Sequence, residues 1–265
     1  MAKRVGIIPS LFARPLFTGL RQQGGSAGVD VVEDVSAQLA LKLRQGHLHG
    51  AFLSPIDYAK DYSHYDILPS VGVVSYGESR SIFLMFKEDL QAIETIAADP
   101  RSSSEIVLAH LVLAEKYDTV PRVVPIIGSV EESLSRTDAV LCAGDIAREM
   151  ETSPHIIDLV DEWHDVSDLP FVHGIWAALH GALSPAEAQF IIETGRQGQA
   201  LAGFSSQEVE YLKRFQYDID EEANMGLAEF FRMAYYHGIL KDIPDITFHS
   251  LDEKEDASPD DTRTS

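Results

Sequence analysis

Between residues 4 and 53 the chain alternates short apolar runs with segments of helical period, which restricts it to folds where crossover helices cover parallel strands. "RVGIIPS" (4–10) reads as a buried strand, "PLFTGLRQQG" (15–24) as a helix closed by Gly24-Gly25, and "VDVVEDV" (29–35) as a second strand. In "SAQLALKLRQGHLHG" Leu39, Ala40 and Leu43 share one helical face, with Ser36 as the expected cap, before the strand "AFLSP".

The pattern then restarts. "VGVVSYG" (71–77) is a strand, and "SRSIFLMFK" (79–87) is apolar at nearly every position of its core, as in a strand covered on both faces. Residues 90–117 predict a short helix, a short strand and a long helix opened by a Ser102-x-x-Glu105 capping box. "PRVVPII" and the helical "SVEESLSR" lead to the strand "AVLCAGD", which ends in a Gly144-Asp145 corner. Beyond "FVHGIWAAL" the sequence is mostly helical, over 185–196, 207–215 (capped by Ser205 or Ser206) and 221–237.

Two such units, with extended segments at 81–86 and 171–178, predict an α/β protein of two lobes. Residues 1–85 plus 175–248 form the first lobe and 86–174 the second, with a cleft between them. The acidic, apolar-poor tail 249–265 is expected to be disordered. No repeat is visible.

Composition narrows the partners. With 21 basic and 42 acidic residues, the formal charge of −21 repels phosphate backbones and anionic lipid, so neither nucleic acid nor membrane is expected. A small anionic ligand would need local help from an arginine or a helix amino end. The single cysteine, Cys142, allows no internal disulfide and fits a reducing compartment. With too short an apolar run before Pro9 for a secretory segment, a cytoplasmic location is expected.

Ligands in open α/β sheets sit beyond the carboxyl ends of strands. The corners there are Ser10 to Arg14, Ser54-Pro55, Ser79 to Ser81, Ser102 to Ser104 and Gly144-Asp145. Each serine either caps a helix or contacts ligand. Arg14 is either a surface residue or a bidentate donor aimed at the cleft, and Asp145 either caps a helix or faces the cleft as acceptor or base. His47 and His49 lack a third metal ligand nearby, and His155, His164 and His173 show no metal-ligand spacing. Neither a nucleophile elbow at Ser81 nor a glycine-rich phosphate loop is present, and nothing calls for a cofactor.

Several stretches together resemble the menaquinone-biosynthesis family of the futalosine pathway, from residue 4 to about residue 240. They are "SLFARPL", "AFLSPIDYA", "SYGESRSIFLMFK", "ADPRSSSEIVLAHLVLAEKY", "LCAGDIA", "IDLVDEWHDVSDLPFVHGIWAA" and "YLKRFQYDIDEEANMGLAEFFRMAYYHGIL". The resemblance implies a type II periplasmic-binding-protein-like fold working in the cytoplasm. One branch of that family is chorismate dehydratase; the other makes 1,4-dihydroxy-6-naphthoate. "IPSLFARPL" fits the dehydratase corner Ser-Tyr-Leu-Asn-x-x-Pro-Leu better than the Ser-Pro-Cys-Pro-Asn-Asp corner of the naphthoate branch, and it keeps the spacing to Pro15-Leu16. Phe12 stands where the dehydratase pattern has asparagine, and a phenyl ring offers neither donor nor acceptor.

The implied reaction removes water from chorismate to give 3-[(1-carboxyvinyl)oxy]benzoate. Aromatisation drives it, so the protein must chiefly orient a dianion and assist departure of hydroxide. On this reading Arg14 and the helix amino end at Ser102, Ser103 and Ser104 take the carboxylates. Ser81 and Ser54 bond the ligand, while Ser10, Leu11, Phe12, Ser79, Arg80 and Gly144 complete the binding surface. The proton acceptor is Asp145 or the substrate's own enolpyruvyl carboxylate. The alternatives are a non-catalytic binding or sensing protein for a small aromatic carboxylate, which Phe12 favours, and a naphthoate-synthase-like relative.

Overall fold

The computed structural model describes residues 2–151 and 153–252. The first sheet contains β1 (Lys3–Ile7), β2 (Val29–Glu33), β3 (Gly50–Leu53), β4 (Tyr65–Ser75) and β10 (Phe171–Leu179), in the order β2-β1-β3-β10-β4. The second contains β5 (Ile82–Phe86), β6 (Thr95–Ala98), β7 (Arg122–Pro125), β8 (Ala139–Ala143) and β9 (Ile156–Asp158), in the order β7-β6-β8-β5-β9. In each sheet four strands run the same way, three of them paired in parallel as expected for βαβ units, while β10 and β5 run against their neighbours.

Helices α1 (Arg14–Gln23), α2 (Ser36–Arg44), α3 (Pro55–Ala59) and α8 (Pro185–Gly198) belong to the first lobe. Helices α4 (Ser103–Tyr117), α5 (Val130–Arg136), α6 (Asp145–Glu149) and α7 (Leu159–Ser167) belong to the second. The chain closes with α9 (Ser206–Leu212) and α10 (Glu221–Tyr236). A continuous buried core runs through both lobes and includes Trp163, Trp176, Phe17, Phe52 and Phe230, each worth about 1.5–3 kcal/mol when removed from water. A smaller core of Phe83, Ala97, Val140, Cys142 and Ala147 lies on the other face of the second sheet.

The chain changes sheets at 76–81 and again at 168–170, so the sequence boundaries at 85/86 and 174/175 fall inside β5 and β10. Apolar run length alone does not say which sheet a strand joins. Buried Asp158 anchors the first crossing, its Oδ2 accepting from the backbone N–H of Ser79 at 2.9 Å and of Arg80 at 2.6 Å. Burial pushes the Asp158 carboxyl up to about 6 despite those donors. At the second crossing, the Pro170 carbonyl accepts from Trp163 Nε1 at 3.3 Å, and α10 approaches that same carbonyl so closely that only Gly226 fits there.

Three expected caps differ. Val35, not Ser36, precedes α2, because the Ser36 hydroxyl is drawn to Asp57 at 2.7 Å. Ser102 precedes α4 but forms no capping box with Glu105. Gly144, at φ 66, precedes α6, so Asp145 is its first helical residue rather than its cap. Ser205, by contrast, forms the capping box of α9 with Glu208. The first half of β4 and all of β9 escape the sequence reading, Pro69 and Ser70 (φ 63) interrupting one and the other being only three residues long. His249 is packed, its backbone N–H donating to the Ile67 carbonyl at 2.9 Å, whereas the expected disorder over 253–265 lies outside the described residues.

Candidate functional site

The strand ends of the two sheets face one another across a cavity of about 160 Å³. Ser10 and Phe12, just beyond β1, and Ser54, beyond β3, form one wall with His173 of β10. The facing wall has Ser81 at the start of β5, Gly144 beyond β8, and Asp99, Arg101, Ser102 and Glu105, which run from β6 into α4. Ser10 and Ser102 cap no helix through their side chains, so their hydroxyls are open to a ligand.

Beside this cavity the lobes are tied together by Asp57, which is 1% exposed. Its Oδ2 accepts from Ser36 Oγ at 2.7 Å and Ser54 Oγ at 3.0 Å, and its Oδ1 from Ser103 Oγ at 2.7 Å and Lys60 Nζ at 2.8 Å. Ile56 N–H adds a second tie, donating to Ser104 Oγ at 2.9 Å. Ser36 and Ser54 come from the first lobe and Ser103 and Ser104 from the second, so these serines hold the loops that carry the cavity. Ser103 and Ser104 are absent from the cavity wall, and the start of α4 already has a carboxylate beside it.

Other expected positions also lie elsewhere. Arg14 pairs with Glu208 and its guanidinium lies 4.7 Å over the Phe204 ring, away from the cavity wall. Leu11 is core. Ser79 is fully buried, its Oγ 2.7 Å from Ser81 Oγ, so it orients Ser81 rather than meeting ligand. Arg80 points to a neighbouring cavity. Asp145 is half-exposed on α6, 3.9 Å from Arg148, and off the cavity wall.

Three charged residues on the wall, Asp99, Arg101 and Glu105, are missing from the sequence-based site because each has an ordinary local explanation. Arg101 sits in a turn, where its Nη2 bonds Asp99 Oδ2 at 2.6 Å, and it is the arginine that reaches this cavity. The sequence casts Glu105 as half of a capping box that does not form. Burial, with Asp57 and Asp99 nearby, instead pushes its carboxyl up to about 7. A carboxyl raised that far can act as a general acid closer to neutral pH than an ordinary glutamate can.

His173 is buried, and its Nε2 lies 3.0 Å from Ser75 Oγ. Because that hydroxyl donates to the Arg214 carbonyl at 3.1 Å, the ring nitrogen must be the N–H donor. Burial lowers the imidazole to about 3, which keeps it neutral. Phe12 packs between His173, 5.4 Å away between centroids, and Phe215, 5.6 Å away. Among the described residues no cluster of three or more His, Cys, Asp or Glu suits a metal, and no helix is long and apolar enough to cross a membrane.

A family model described as "Menaquinone biosynthesis" matches residues 3–209. A chorismate dehydratase from Thermus thermophilus is 27% identical over 234 residues, covering 77% of this chain and 86% of that one. Protein AF1704 from Archaeoglobus fulgidus superposes with a TM-score of 0.69 at 18% identity, covering 89% of this chain and 98% of that one. The periplasmic aliphatic sulphonate binding protein SsuA from Escherichia coli gives 0.64 at 13% identity, covering 92% and 95%. The two lobes and intervening cavity thus have the periplasmic-binding-protein-like fold, and at such identities these two structures speak to fold alone.

Proposed function

The chain belongs to the menaquinone biosynthesis family, and on that premise we propose that it is a cytoplasmic hydro-lyase that removes water from chorismate, yielding 3-[(1-carboxyvinyl)oxy]benzoate. The likeness to the Thermus thermophilus chorismate dehydratase supports the choice of substrate. The observation that carries the chemistry is the place of Glu105 on the wall of the interlobe cavity, where desolvation pushes its carboxyl up to about 7.

In this reading Arg101 and the Ser10, Ser81 and Ser102 hydroxyls hold the dianion, while Ser54, its hydroxyl given to Asp57, shapes the wall beside them. The hydroxyl on ring C4 departs as water by taking the Glu105 proton. The C3 hydrogen leaves as a proton to the substrate's own enolpyruvyl carboxylate, and its bonding electrons complete the aromatic ring. Product release returns that proton to solvent, and Glu105 is reprotonated. Asp145, off the cavity wall, has no part in the step.

Glu105→Gln tests the assignment. Loss of a general acid should lower kcat about 100-fold or more and abolish the fall in rate above pH ~7. A variant with near-normal turnover and an unchanged pH profile removes Glu105 from the mechanism.

A second reading is favoured by Phe12. Its ring occupies the cavity wall where the dehydratase pattern carries an amide, which suits a protein that binds a small aromatic carboxylate without converting it.

A further inference from the structure

A second cavity, of about 390 Å³, lies beside the first and is lined by Arg80, Arg148, Gln207, Glu210, Tyr211 and Arg214. Three guanidinium groups around one hollow are unexpected in a chain of formal charge −21. Arg80 comes from the crossing between lobes, Arg148 from the end of α6 in the second lobe, and Arg214 and Tyr211 from the first-lobe side around α9.

The groups there are incompletely paired. Arg80 Nε, Arg148 Nε and the Tyr211 hydroxyl are buried without a hydrogen-bond partner among the described residues. Buried polar groups nearly always have partners, so three unpaired donors on side chains that line one hollow mark an unmet demand for an acceptor among them. Arg80 also has no carboxylate within 4.0 Å among the described residues; its Nη2 donates only to the Met150 carbonyl, at 2.8 Å. Its backbone is held at φ 56, a conformation an arginine rarely adopts, which the Asp158 carboxylate fixes through the Ser79 and Arg80 N–H groups. Burial and the nearby Asp145 raise the Tyr211 phenol, so it stays protonated as a donor.

Buried Asp158, near Tyr211, is held by the Ser79 and Arg80 N–H groups, and the other carboxylates around these residues are exposed. Glu78 bonds Arg214 at 2.9 Å, Glu149 bonds Arg148 at 3.0 Å, Asp145 stands 3.9 Å from Arg148, and Glu210, on the cavity wall, pairs with Lys213 at 2.8 Å. All four are roughly half-exposed or more and free to turn toward water. Glutamate at 210 is the one acid on the wall, against three arginines.

We propose that Arg80, Arg148, Arg214 and the Tyr211 hydroxyl form a second binding site, distinct from the interlobe cavity, for a phosphate dianion, either free or as a phosphomonoester. One guanidinium satisfies a carboxylate through two parallel bonds, whereas donors arriving from three elements suit a tetrahedral group with three or four acceptor oxygens. A ligand held from both lobes and the crossing favours whichever lobe arrangement keeps all three arginines together.

Titration calorimetry of the full chain with inorganic phosphate, in phosphate-free buffer at physiological ionic strength, tests the site. Saturable one-to-one binding is expected, weakened about 10-fold or more by Arg148→Gln and by Arg214→Gln and unchanged by Arg232→Gln, a substitution on α10 away from both cavities. Circular dichroism verifies that each variant is folded. Glycerol phosphate binding more tightly than inorganic phosphate points to an ester, and equal affinity to the free ion; either supports the site. Absent saturable binding, affinity unaltered in both arginine variants, or phosphate displaced stoichiometrically by chorismate overturns the proposal.

Discussion

Replacing Asp57 should loosen the joint between the lobes more than any other single polar substitution. The carboxylate is buried and accepts from Ser36, Ser54 and Ser103 hydroxyls and from Lys60. The Lys60 ion pair counts for about 0–1 kcal/mol, because the lysine side chain is half in solvent. The three hydroxyl bonds to a buried charge are each worth about 1.5–3 kcal/mol, less what the freed hydroxyls regain from water. Asp57→Ala should therefore cost about 3–5 kcal/mol, the range for breaking a buried charged cluster. Asp57→Asn retains the shape and one acceptor oxygen, and hydroxyls can turn to accept from its amide, so about 1–2 kcal/mol is expected. Urea unfolding followed by circular dichroism would give both values from the midpoints if the slopes match. An alanine variant within about 1 kcal/mol of the wild type would refute the proposal that this cluster joins the lobes.

Other substitutions separate neighbouring claims. Arg101→Ala should raise the KM for an anionic ligand about 10-fold or more while Arg14→Ala leaves it unchanged, and steady-state kinetics showing the reverse would restore Arg14 to the site. Gly226→Ala would place a methyl group 2.2 Å from the Pro170 carbonyl and should lower stability by about 1–3 kcal/mol, read as a reduced Tm. Glu105 has its carboxyl raised in the fold from 4.5 to about 7, so its favourable contribution is complete below 4.5 and is lost as pH rises through 7. Glu105→Gln should flatten that part of the stability profile, and a variant with the wild-type slope between those pH values would count against a desolvated carboxyl.

The two-lobe plan was legible because strand and helix periods are local properties, clear in "RVGIIPS" and "SAQLALKLRQGHLHG". Strand β9 was not, since three residues carry too little period to be noticed. The serine corners were visible in the sequence, but their division of labour depends on Asp57, whose position inside α3 gives no sign that Ser36 and Ser103, from other segments, converge on it with its neighbour Ser54. Arg14 had the right neighbours in sequence and the wrong partner in space, Glu208, nearly two hundred residues away. Glu105 was hidden by an adequate local explanation; the rise of its carboxyl comes from desolvation with Asp57 and Asp99 nearby, which no short motif records.

The central claim is tested most directly by incubating the purified protein with chorismate and following the mixture by mass spectrometry and ultraviolet absorbance. The account predicts time-dependent conversion to a product lighter by one water with a benzenoid spectrum, slowed about 100-fold or more by Glu105→Gln. Chorismate that binds and is recovered intact would contradict it and leave a receptor in place of an enzyme.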